Sequence, residues 1–200
     1  MPTRVSPAKP SARERLLAAA DDLFYREGVQ SVGVDRIVQQ AGVAKASLYN
    51  LFGSKEELVQ AYLDARHDAT REQVERVLTR FRTPRERLLG IFDAQGQVFT
   101  EPGFNGCAHT TACAEARQGS PVEDATERLR LWVRTLFTDL ARDAGVADPE
   151  GLARQLHLLY DGAATSARMD RDPSAATTAR AAAAALLDAA PKATEPADPR

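Results

Sequence analysis

The chain has 200 residues, 27% of them charged, and a formal net charge of −2. Its length suits one or two small domains with a real core. Near-neutrality means that any affinity for nucleic acid has to come from a local basic surface. No run is long and apolar enough for a membrane-spanning helix, no signal-peptide core opens the chain, and two cysteines make no disulfide framework. The expectation is a cytoplasmic protein without membrane contact.

Residues 1–10, with three prolines and no apolar period, read as a loose arm. Ser11-x-x-Glu14 has the form of a capping box, and Leu16, Leu17, Ala20, Leu23 and Phe24 recur at helical spacing until Gly28 stops the helix. Val34, Ile37, Val38 and Ala41 share one face of a short second helix. Gly42 then makes a turn, and a very short third helix with an exposed basic and hydroxyl-bearing face follows before Gly53. Two short helices across a tight glycine turn are a helix-turn-helix, whose second helix enters the DNA major groove. Lys45, Ser47, Tyr49 and Asn50 are its polar side chains, and Ala46 suits a thymine methyl; Leu48, Leu51 and Phe52 are expected to anchor it. Lys55, at the start of the fourth helix, is placed to bind a backbone phosphate together with free N–H groups.

Ser54-x-x-Glu57 starts a long fourth helix that runs to about Phe81, and Thr83-Pro84-Arg85-Glu86 starts a fifth. The fifth helix should bury Leu88, Leu89, Phe92, Val98 and Phe99. After the break at 101–106, a short helix spans about Cys107 to Ala116. Ser120-Pro121, Asp148-Pro149 and Asp172-Pro173 open three more helices, the last of them alanine-rich and ending before Pro191, and residues 191–200 read as a disordered tail. The fold class is therefore all-α with about nine helices. Domains are expected at 11–58 for DNA binding and 59–190 for effector binding and dimerisation.

The pattern Leu16-Leu17-x-Ala19-Ala20-x-x-Leu23-Phe24-x-x-x-Gly28, Val34-x-x-Ile37, then Ala41-Gly42-Val43-x-Lys45-x-Ser47-Leu48-Tyr49-x-x-Phe52-x-Ser54-Lys55-Glu56-Glu57-Leu58 resembles the TetR family of bacterial transcriptional regulators over about residues 11–66. The resemblance implies that Val34 and Arg36 face the DNA backbone, although the family often has threonine where Val34 stands. It also implies a palindromic operator in double-stranded DNA as partner, a homodimer, and a small-molecule effector held in the second domain that releases a repressor. Candidate effector-binding residues are Gln95, Phe99, Phe104, His109, Trp132, His157 and Tyr160. Phe104-x-Gly106-Cys107-x-x-x-x-x-Cys113-x-Glu115 is similar to a segment found in part of the family.

Small residues at Gly162–Ala164, Ser166, Ala167, Ala175, Ala176, Ala179 and Ala181–Ala185, with Leu152, Leu156, Leu159, Leu186 and Leu187, suggest that the last two helices pair with a second copy. Cys107, His109 and Cys113 do not complete a tetrahedral metal set, because only His109 and Cys113 share a helical face. A disulfide between the cysteines needs Cα atoms about 5.5 Å apart, whereas six helical residues span about 9 Å. No cofactor is implied. No nucleophile elbow, phosphate loop or His-Glu-x-x-His is present, so an all-α enzyme or a helical interaction module without operator binding are the alternatives to a regulator.

Overall fold

The computed structural model describes residues 10–193. Among these, helices are the only extended secondary structure: α1 Ala12–Glu27, α2 Val34–Ala41, α3 Lys45–Phe52, α4 Lys55–Leu78, α5 Pro84–Phe99, α6 Ala108–Glu115, α7 Pro121–Asp143, α8 Pro149–Asp170 and α9 Ala175–Ala189. The arm expected at residues 1–10 lies outside the described residues except for Pro10, whose carbonyl accepts from Arg15 Nη1 at 2.8 Å.

The caps follow the sequence. Ser11 and Glu14 form a reciprocal box at α1, as do Thr83 and Glu86 at α5, and Asp148 Oδ1 accepts from Gly151 N at 2.8 Å to start α8. At α4, Ser54 Oγ accepts from Glu57 N at 3.0 Å. The α5 carboxylate is held below the usual range, first by the Thr83 backbone N–H and then by the Thr83 hydroxyl.

Two boundaries differ from expectation. The fourth helix stops at Leu78 rather than near Phe81, because the chain tightens there and Phe81 folds over Gly90, where any side chain would collide with its ring. The ninth begins after Ser174, since both Asp172 carboxylate oxygens are used on Ser174 and fold the preceding turn.

The chain divides into two compact units, one made of residues up to Ala65 together with His109–Ala125, the other of Arg66–Ala108 with Thr126 onward. In the first, α1, α2 and α3 pack around Leu16, Ala20, Leu23, Ile37 and Leu48, and the Tyr62 ring of α4 meets Phe24 at 5.6 Å. The sixth helix, expected within 59–190, groups with the helix-turn-helix. Glu115 Oε2 accepts from Gln30 N at 3.0 Å and the Glu115 carbonyl from Gln30 Nε2 at 3.3 Å.

In the second unit α5 is the central element, packed by α8 and α9. Leu88, Leu89, Ile91, Phe92, Ala94 and Phe99 are all buried, whereas Val98 is only half-buried. Of the tail expected at 191–200, residues 194–200 lie outside the described residues, and Pro191–Ala193 are held in place. Ala147 N donates to Pro191 O and Ala193 N to Gly145 O, each at 2.9 Å, around an antiparallel bridge between Val146 and Lys192.

Candidate nucleic-acid interface

Gly42 has φ 62° and ψ 43°, the left-handed conformation that ends α2 and aims the chain into α3. Its N–H bonds back to α2, and Val43 N donates to Val38 O at 3.1 Å. Leu48 and Phe52, one turn apart, form the buried ridge of α3, and Arg13 covers the Phe52 ring at 5.2 Å. Leu51 is not an anchor, contrary to expectation: it lies off that ridge and is 43% exposed. Sequence spacing alone did not separate it from Leu48 and Phe52, since all three fall within a broad helical face.

Opposite the ridge, Lys45, Ala46, Tyr49 and Asn50 are exposed and Ser47 is half-buried, so one face of α3 presents the polar set that the sequence suggested. Neither α2 nor α3 has a side-chain N-cap; Gly33 and Ala44 occupy those positions and leave first-turn N–H groups for an anion. The cap position of α2 is Gly33, and Val34 is its half-buried first residue.

The cations of this face are not idle. Lys45 Nζ lies 2.8 Å from Asp35 Oδ1, and that hydrogen bond holds the ammonium above its ordinary pKa. Arg36 makes a two-pronged pair with Glu27, its Nη2 at 2.8 Å from Oε1. Lys55 turns inward: its Nζ donates to Val29 O at 2.7 Å and sits 5.9 Å from the Phe24 ring centroid. Burial pushes this ammonium below its ordinary value. Lys55 therefore ties α4 to the α1–α2 turn, a tertiary role that its position in the sequence did not reveal.

In the second unit, Gln95 is buried and its Nε2 donates to Tyr160 O at 2.8 Å. That bond fixes the amide orientation, because the Tyr160 carbonyl can only accept. Gln95 Oε1 then meets no donor among the described residues. The Phe99 and Phe104 rings stack at 4.8 Å, and Tyr160 faces Phe92 and Phe137 at 6.5 and 6.2 Å. Burial drives the Tyr160 hydroxyl upward. Trp132 lies 5.5 Å from the His67 ring, and the buried His157 has Nε2 3.6 Å from Asp161 Oδ1. His109 is buried but belongs to the first unit. Cys107 and Cys113 are unbridged, and no three potential metal ligands converge among the described residues.

Residues 16–62, the segment built around this reader helix, match the family described as "Bacterial regulatory proteins, tetR family". The HTH-type transcriptional repressor KstR2 of Mycolicibacterium smegmatis is 33% identical over 151 residues, covering 72% of this chain and 69% of that protein. The chain belongs to the TetR family. The solved structure of a TetR-family transcriptional regulator from Streptomyces coelicolor superposes with a TM-score of 0.83 at 33% identity, covering 88% of this chain and 94% of the other. A putative TetR-type regulator from Streptomyces avermitilis gives 0.80 at 37% identity, over 90% and 98%. The chain spans about half the length, 55%, of two curated Pseudomonas putida regulators that it also matches. These TetR relatives are transcriptional regulators rather than enzymes, and no described helix of this chain is long and apolar enough to cross a membrane.

Proposed function

We propose that this TetR-family protein is a homodimeric repressor that binds a palindromic operator through α3 and is released by a small, partly apolar molecule. The observation that carries the reading is the exposed Lys45, Ala46, Tyr49 and Asn50 face of a helix whose other side is locked by Leu48 and Phe52. Lysine and asparagine suit guanine and adenine edges, and the Ser47 and Tyr49 hydroxyls suit phosphate oxygens. Arg36 and the free N–H groups of α2 add backbone contacts. Lys55 contributes indirectly by fixing the turn before α2.

The dimer is supported by what α8 and α9 leave uncovered. Ala163, Ala164, Ala167, Ala176, Ala179, Leu152, Leu156 and Leu187 are consumed by the chain's own core. Leu158, Gly162, Ser166 and Met169 remain exposed at three- to four-residue spacing on α8, and Ala181 and Ala185 on α9. Leu158 and Met169 are 72% and 77% exposed, which for large apolar groups on an uncharged stripe calls for a second copy.

The effector reading rests on Gln95 among Phe92, Phe99, Phe104 and Tyr160. A buried carbonyl without a donor costs about 1–3 kcal/mol, which a ligand hydroxyl or amide N–H recovers. A mobility-shift titration with the DNA upstream of the protein's own gene tests the operator reading. Retardation by the wild type, and weaker retardation by Tyr49→Ala, is expected; retardation of arbitrary DNA with equal affinity overturns it.

A further inference from the structure

Both exposed cations that α2 and α3 present carry a carboxylate partner before any DNA arrives. Lys45, the first residue of the reader helix, is paired with Asp35 from the first turn of α2, and Arg36 with Glu27 from the last turn of α1. The side chains of Lys45 and Asp35 are 52% and 82% exposed, so neither is buried for the sake of the pair. Among the described residues Asp35 accepts no second hydrogen bond and caps nothing: the N-cap of α2 is Gly33, and no side chain caps that end. Its one direct partner among the described residues is the reader's lysine.

We propose that Asp35 is a specificity-determining residue that acts by holding the Lys45 ammonium off non-operator phosphate. This rests on the assignment of α3 as the reader helix. Any duplex offers phosphates, and a free lysine at the head of α3 would bind them all, adding sequence-independent affinity. With Asp35 in place, phosphate has to displace a carboxylate 2.8 Å from the ammonium, and it does so against the negative charge that the displaced carboxylate retains. An operator that supplies a base-edge acceptor lets Lys45 leave Asp35 for a geometrically defined bond. Arbitrary DNA supplies only another anion, at the same site and with more repulsion. The carboxylate thus lowers off-site binding more than operator binding, which widens the specificity ratio without touching a base.

The test needs no operator. A 30-base-pair duplex of arbitrary sequence, labelled for fluorescence anisotropy, is titrated with the intact wild type and with Asp35→Asn across a series of salt concentrations. The proposal predicts a roughly two- to five-fold gain in affinity for Asp35→Asn, the range set by an exposed ion pair. It also predicts a log K against log salt slope steeper by about 0.9, one further phosphate. In a Lys45→Ala background the same substitution should give no such steepening. An unchanged slope overturns the proposal, as does a gain that persists without Lys45, which marks bulk repulsion only. A loss of affinity also overturns it, by showing that Asp35 props Lys45 towards DNA. Asp35 is solvent-facing, and a helical spectrum and melt matching the wild type certify the variant's fold. Failure of the wild type to bind any duplex in a salt-dependent manner would instead remove the reader-helix assignment itself.

Discussion

Leu158→Asp should split the dimer while leaving each protomer folded. The leucine is 72% exposed on α8, flanked along its face by Gly162, Ser166 and Met169, so it contributes little to the core of its own chain. Full burial of a leucine stabilises by about 1.5–3 kcal/mol, so covering the exposed three-quarters yields about 1–2 kcal/mol per copy. A two-fold interface counts the residue twice, giving about 2–4 kcal/mol, or roughly a 30- to 700-fold weaker dimer. Desolvation of the new carboxylates adds to that loss. Sedimentation equilibrium over nanomolar to micromolar protein gives the dissociation constant directly, and a thermal melt reports the fold. A variant with the wild-type dimerisation constant refutes the placement of the interface on this face of α8. A variant that melts far below the wild type refutes the premise that Leu158 is free of the core.

The remaining predictions address DNA, effector and pH. Lys45→Ala should weaken operator binding more than binding to arbitrary DNA, the loss expected of a base-edge contact, whereas Tyr49→Ala weakens operator binding with normal melting; anisotropy titrations with both duplexes check both. Gln95→Leu removes an amide oxygen that meets no donor together with the Nε2 bond to Tyr160 O, so the two effects offset and stability should change little while induction is lost. Thermal melts run beside a reporter assay decide it. The His157 imidazole is held below its ordinary 6.5 by burial, opposed by the Asp161 carboxylate and reinforced by Arg130 and Arg134. Its folded value lies under its unfolded one, so its contribution to stability is complete above about pH 6.5 and is lost as pH falls through the lower folded value. His157→Gln should therefore flatten the acid side of a melting-temperature profile below pH 6.5, and an identical profile contradicts the assignment.

What the sequence made legible is what local spacing governs. Ser11 with Glu14, Thr83 with Glu86, and Pro149 after Asp148 are three- or one-residue relationships, and each marks a real helix start. Gly42 was readable as a turn because only a residue without a side chain sits comfortably at φ 62°. Contacts between distant residues were opaque. The bond from Lys55 to Val29 spans 26 positions and the clasp between Gln30 and Glu115 spans 85, so neither leaves a pattern in a window of helical length. The same blindness hid the grouping of α6 with the helix-turn-helix, and let Leu51 pass for an anchor when only the packing of α1 and α2 against α3 decides which apolar positions are covered. Alanines on α8 and α9 read as one seam, but burial divides them between the chain's own core and an uncovered stripe.

Two copies presenting α3 to one operator leave a paired footprint, which hydroxyl-radical cleavage of the DNA upstream of the gene reads out. Two protected half-sites are expected about one helical turn, roughly 34 Å, apart, related by inverted sequence and filled by two protomers per site. A single unpaired footprint, or protection that is unchanged when Lys45 and Tyr49 are both replaced by alanine, would contradict this arrangement.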